Sequence, residues 1–161
     1  MSISPRFFAD HVSVTVANID AAIEFYDRAL GAEVLYRMGP LDSRDAPREN
    51  NGKDWTEAHV NVTDACLELA MLSFAGGMRL EVFQYRRPDQ SAASIPRNCN
   101  PGASHLCFRV DDLDAAITHL ENFGCVKLPA SIVSVDGPAP PSVSQYILDP
   151  FGYQLELVEY S

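Results

Sequence analysis

No apolar run in this 161-residue chain approaches the roughly 20 residues a membrane-spanning helix needs, so a membrane span is not expected. The N-terminal stretch "MSISPRFFADHV" lacks the apolar core and small-residue cleavage site of a secretory signal, and the expected location is cytoplasmic. None of the four cysteines (Cys66, Cys99, Cys107, Cys125) stands in a C-x-x-C spacing. A zinc knuckle and a dithiol redox pair are thereby disfavoured, and in a reducing compartment the four are expected to serve as small buried hydrophobes. Positive charge is also scarce: 12 Lys and Arg against 22 Asp and Glu leave a formal charge of −10. That balance argues against nucleic acid and anionic membrane as partners while leaving room for a small anionic substrate. With 47% hydrophobic residues, the chain is composed like one ordinary globular domain, large enough to bury a core.

What the chain does contain is a phrase written twice. "HVSVTVANIDAAIEFYDRALG" from His11 and "HLCFRVDDLDAAITHLENFG" from His105 overlay His on His and Ile19-Asp20-Ala21-Ala22-Ile23 on Leu113-Asp114-Ala115-Ala116-Ile117. Each opens with an alternating strand. Val12, Val14 and Val16 share one face opposite His11, Ser13 and Thr15; Leu106, Phe108 and Val110 share one opposite His105, Cys107 and Arg109. Asn18 and Asp112 then stand as N-caps of helices expected over 19–29 and 113–122, ending at Gly31 and Gly124. Ala22, Ile23, Tyr26 and Leu30, and Ala116, Ile117 and Leu120, keep the spacing of one buried helical face.

The second half of the phrase repeats too. "GMRLEVFQY" at Gly77–Tyr85 overlays "GYQLELVEY" at Gly152–Tyr160, pairing Glu81 with Glu156. The turns "FAGG" (74–77) and "DPFG" (149–152) predict hairpins joining 66–73 to 78–85 and 143–148 to 153–160. The implied fold is α+β, two βαβββ modules over 7–87 and 104–160, with 88–103 as linker, together one domain of 161 residues. The first copy is longer: 70 positions separate His11 from Glu81, whereas 51 separate His105 from Glu156. The excess is expected in a polar loop over Met38–Val60, with a short helix near Trp55–Val60.

His11, Glu81, His105 and Glu156 occupy matched places on the strand faces turned away from the helices. A duplicated apolar scaffold has no packing use for a repeated His and Glu. Two imidazoles and two carboxylates, if the two sheets curve together, suit one divalent first-row metal with positions left for water or substrate. Arg79, Arg109 and Phe83 lie on the same side by alternation, as candidate substrate-binding residues. Arg86 and Arg87 read as a solvated strand end, and His59 and His119 as surface residues.

On "DHVSVTVANIDAAIEFYDRALG", "RLEVFQY", "ASHLCFRVDDLDAAITHL" and "DPFGYQLELVEY", the chain resembles the vicinal oxygen chelate superfamily, also called the glyoxalase/bleomycin resistance/dioxygenase superfamily. The resemblance spans nearly the whole chain and implies a cup-shaped mixed sheet around one metal ion (Zn, Ni, Co, Mn or Fe). Its ligands by that resemblance are His11, Glu81, His105 and Glu156. The complete ligand set is most similar to glyoxalase I, and the helix and strand motifs to methylmalonyl-CoA epimerases, which typically carry Gln at the place of Glu81. Glyoxalase I commonly has Arg and Asn where this chain has Thr15 and Tyr85, which bears against a glutathione conjugate as substrate.

The chemistry so implied is that of an isomerase, epimerase or lyase. Neighbouring oxygens of a small carbonyl substrate chelate the metal, and Glu156 first or Glu81 second removes a proton to give an enediolate. Two other readings stay open. One is a binding or resistance protein that sequesters an aromatic natural product near Trp55, Phe83 and Tyr85. The other is an extradiol-type dioxygenase, although two His and one Glu suffice for its iron. Alternating edge strands and the family resemblance together imply a homodimer.

Overall fold

The computed structural model describes residues 6–90 and 94–161. Residues 1–5 of the N-terminal stretch and 91–93 of the linker lie outside that description. The chain divides into two compact units, one up to residue 92 and one from residue 93.

In the first unit, β1 (Val12–Thr15), α1 (Ile19–Leu30), β2 (Glu33–Asp42), α2 (Trp55–Val60), β3 (Cys66–Ser73) and β4 (Arg79–Arg87) follow one another, with a one-turn 3₁₀ helix at Ser43–Asp45. The sheet order is β1-β4-β3-β2. β1 lies parallel to β4, and the other pairs are antiparallel. The second unit repeats the plan with β5 (Leu106–Arg109), α3 (Leu113–Glu121), β6 (Val126–Ser134), β7 (Ser142–Leu148) and β8 (Gln154–Tyr160), ordered β5-β8-β7-β6. Both units are therefore mixed four-stranded sheets with a helix crossing between the first and second strands.

The helix starts agree closely. Asn18 (φ −143°, ψ 106°) accepts from the Ala21 amide, and Asp112 (φ −146°, ψ 106°) from the Ala115 amide. A second free amide of each helix is satisfied by the last strand of its sheet: Ile19 N–H donates to Gln84 Oε1 at 2.8 Å and Leu113 N–H to Glu159 Oε2 at 2.7 Å. Gln84 and Glu159 are repeat partners, so the duplicated plan extends to this detail. Ile19, Ala22, Phe25, Tyr26 and Ala29 bury the inner face of α1; Leu113, Ile117 and Leu120 do the same for α3. They pack on Leu72, Leu80 and Val82 in one unit and on Ile147, Leu155 and Leu157 in the other, all nearly inaccessible to solvent.

The helix ends differ. Gly31 closes α1 in the left-handed conformation, with φ 66°. α3 stops at Glu121 with Asn122 still right-handed, and Gly124, at φ 85°, comes two residues later. The turn at Asp149 takes its shape from the carboxylate, which accepts from the Phe151 and Tyr153 amides, while Gly152 N–H donates to the Asp149 carbonyl.

Some expectations are corrected. The extended segment β2 runs to Asp42, so the long loop starts at Ser43 and not at Met38. Arg86 and Arg87 are not merely solvated: Arg86 pairs with buried Glu68, and Arg87 reaches Asp42 Oδ1 at 2.7 Å and the Asp64 carbonyl at 2.7 Å. Of the cysteines, Cys66 and Cys125 are buried but Cys99 and Cys107 are exposed. No helix among the described residues is long and apolar enough to cross a membrane.

The extra length of the first unit is tied down from within. Asp54 caps α2 and also accepts from the Thr56 hydroxyl (2.6 Å) and the Asp64 amide (2.8 Å), which holds its carboxyl well below the usual carboxylate range. Trp55 Nε1–H donates to the Asp42 carbonyl, joining α2 to the end of β2. The loop is thus an ordered extension of the sheet.

Candidate metal and acid–base site

Each unit brings one histidine against one glutamate. His11 immediately precedes β1, and Glu81 sits on β4 opposite Ser13; His105 precedes β5, and Glu156 sits on β8 opposite Cys107. Strand alternation then puts His11, Ser13 and Glu81 on one face, and His105, Cys107 and Glu156 on the matching face of the other sheet. His11 Nε2 lies 3.4 Å from Glu81 Oε2, and His105 Nε2 lies 3.2 Å from Glu156 Oε2. All four side chains are between 18% and 37% exposed, covered enough to be held and open enough to be reached.

The first pair has a carboxylate behind it. His11 Nδ1–H donates to Asp10 Oδ1 at 2.9 Å, and Arg79 Nη1–H donates to Asp10 Oδ2 at 3.1 Å. Hydrogen bonding to His11, then the Arg79 charge, lowers the Asp10 pKa; the same hydrogen bond raises that of His11 against the opposing effect of burial. Holding Nδ1–H in this way leaves Nε2 as the nitrogen that faces Glu81, the arrangement typical of an imidazole prepared for a metal. Arg79 is therefore placed behind His11 through Asp10. Phe83, also on the Glu81 face, stacks on Tyr85 with centroids 6.1 Å apart.

The second pair is surrounded differently. Ser104 stands where Asp10 would, and its hydroxyl lies 3.1 Å from the Tyr153 hydroxyl. Glu156 is flanked in register by Cys107 on β5 and Tyr146 on β7. The Tyr146 ring meets the His105 ring edge-on at 5.4 Å. Partial desolvation, followed by the Glu156 charge, pushes the Cys107 thiol up to about 11. Burial and then Glu156 likewise raise the Tyr146 phenol. Arg109, exposed at the end of β5, lies with its guanidinium 5.9 Å from the centre of the Tyr160 ring.

Among the described residues no group of three or more His, Cys, Asp and Glu side chains is gathered tightly enough to hold a metal. What each unit offers is one imidazole nitrogen and one carboxylate oxygen side by side. Donor type suits a divalent first-row ion, and the Asp10 contact to His11 Nδ1 is an observation independent of the repeat that fits such a ligand. Sequence reasoning passed over Asp10 and Tyr146. The first stood beside a recognised histidine; the second was legible only through cross-strand register.

Comparison with known proteins gives a consistent picture. The family model described as "Glyoxalase/Bleomycin resistance protein/Dioxygenase superfamily" matches residues 9–157. A 2-epi-5-epi-valiolone epimerase from an Actinomyces species is 35% identical over 152 residues, covering 92% of this chain and 76% of that one. A lactoylglutathione lyase from Pseudomonas aeruginosa is 25% identical, with 99% and 86% of the two chains covered. Among solved structures, a glyoxalase family protein from Bacillus cereus superposes with a TM-score of 0.71 at 22% identity, covering 99% of this chain and 98% of that one.

Proposed function

The chain belongs to the Glyoxalase/Bleomycin resistance protein/Dioxygenase superfamily, and from that premise we propose that it is a metal-dependent epimerase of a small hydroxy-ketone. The observation that carries this reading is the matched His/Glu pair in each unit, at 3.4 and 3.2 Å. The relative at 35% identity, an epimerase by name, supports the choice of reaction within the superfamily.

In this reading His11, Glu81, His105 and Glu156 would hold one divalent ion, which would supply a Lewis acid for the substrate carbonyl. Glu156 accepts the proton from the carbon beside the carbonyl; the C–H electron pair becomes the new C=C bond and the carbonyl π pair moves to oxygen, giving an enediolate. Return of a proton to the other face of that carbon inverts it. Glu81, the second carboxylate of the set, is the group proposed to return it, carrying a proton taken from solvent, and Glu156 then releases the abstracted proton to solvent. Asp10, braced by Arg79, fixes the His11 ring. Arg109 is proposed to meet an anionic or hydroxyl-rich end of the substrate, and Phe83 to line its apolar side. The active form is proposed to be a homodimer, checked by light scattering against the monomer mass.

Metal analysis of the purified protein, before and after exposure to Zn(II), Ni(II), Co(II), Mn(II) or Fe(II), tests the proposal most directly. About one divalent ion per site, with activity lost to chelator and restored by metal, is the expected result. A protein that takes up none of these ions would overturn it. Stacked Phe83 and Tyr85 on the Glu81 face favour one second reading, capture of an aromatic natural product without turnover. Tight binding of such a ligand that survives both chelator and His11→Ala would select it.

A further inference from the structure

The two carboxylates are matched in sequence but not in surroundings. In register Glu81 has Ser13 on one side and Met71 on the other. Glu156 has Cys107 and Tyr146 in the corresponding places. Directly opposed residues on adjacent strands bring their Cβ atoms within about 4.5–5.5 Å, close enough for a phenol and a carboxylate to meet. Tyr146 also lies edge-on to His105, the imidazole paired with Glu156, so its ring is fixed relative to both members of the pair. Met71 offers Glu81 a thioether and no hydroxyl.

We infer that Tyr146 is a positioning residue for Glu156, a phenol in the cross-strand place where Glu81 has the Met71 thioether. The inference rests on the metal-dependent reading above and assigns the two halves separate duties. A carboxylate that must alternate between ligand and base needs a second hold when it leaves the ion, and a neighbouring phenol provides one. Cys107 stands on the other side of Glu156, where the first unit has Ser13 beside Glu81. On the first half the corresponding support goes instead to the imidazole, through Asp10 and Arg79. The imidazole side is thus braced in one unit and the carboxylate side in the other.

Co(II) alone is the probe, because its visible bands report how the carboxylates are bound. Tyr146→Phe should retain Co(II) but shift those bands and weaken binding by about 10-fold to 100-fold, the usual range for an outer-shell partner. Tyr146→Met, which installs the residue found at the matched place in the first unit, should do the same, with folding checked by circular dichroism. Ser13→Ala should leave the bands unchanged. Spectra of both Tyr146 variants superimposable on the parent, or an equal shift from Ser13→Ala, would overturn the inference while leaving the metal reading intact. Failure of the parent protein to take up Co(II) would overturn the metal reading and this inference with it.

Discussion

Set side by side, the two units show how far a duplicated plan constrains chemistry. Strand order, helix N-caps and the amide held by the last strand agree closely. The first unit surrounds its pair with charge: Asp10 and Arg79 behind His11, and a buried Glu68 clasped by Arg37 and Arg86 on the opposite face of the sheet. The second uses neutral groups, Tyr146 and Cys107 around Glu156, and a fully buried Gln145 that bonds Ser131 and the Leu128 carbonyl. The backbone scaffold needs the repeated apolar residues. The side chains that tune the site are free to diverge, and they have.

The comparison breaks most plainly at the proposed ligands. His11→Ala and His105→Ala should each abolish tight metal binding, by more than the roughly 100-fold reached by outer-shell changes, as measured by equilibrium dialysis; a large effect from only one would end the idea of equivalent halves. Asp10→Asn should weaken metal binding by about 10-fold to 100-fold, whereas Ser104→Ala at the matched position should change it little, which titration calorimetry with Zn(II) can decide.

Stability gives the next contrast. Glu68→Leu leaves Arg37 and Arg86 without their shared carboxylate; both are partly exposed, so the cost should be about 1–3 kcal/mol, below that of breaking a fully buried pair, in urea unfolding. The acid limb follows from Asp42, whose pKa is lowered to about 2 by its hydrogen bond to Arg87. A depressed carboxylate stabilises the fold fully above its unfolded value of about 3.9, and that contribution is lost as pH falls towards 2. Arg87→Met should therefore remove a stabilising contribution present at neutral pH and flatten the acid dependence in this window, read from unfolding curves between pH 2 and 5. The smallest effects should be equal: Asn18→Ala and Asp112→Ala are each expected to cost about 1 kcal/mol, and a clear inequality would show that the matched caps carry different loads.

Much of this was legible in the sequence because it depends on local rules. Asn18 and Asp112 precede helical spacing, and the helix at Trp55–Val60 falls where expected. His11, Glu81, His105 and Glu156 stood out because repetition marked them. Register was not legible, since nothing local says that Tyr146 faces Glu156 or that Glu68 lies between two arginines on neighbouring strands. The continuation of β2 through Gly39 and Pro40 was hidden for a related reason: those residues signal a turn, and the strand absorbs them at an irregularity between Met38 and Leu41.

The parallel pairing within each sheet has a consequence for how the chain acquires its structure. Val12 must find Leu80, and Leu106 must find Leu155, before either sheet is complete. Local hairpins such as β3–β4 and β7–β8 can close early, but the strand beside each histidine docks only when the last strand of its own unit exists. During synthesis the strand beside the first histidine therefore waits for β4 to leave the ribosome, and the strand beside the second waits for β8. On the proposed metal reading, chains truncated before β4 or β8 should capture metal correspondingly poorly, each half being ready only when its last strand is in place.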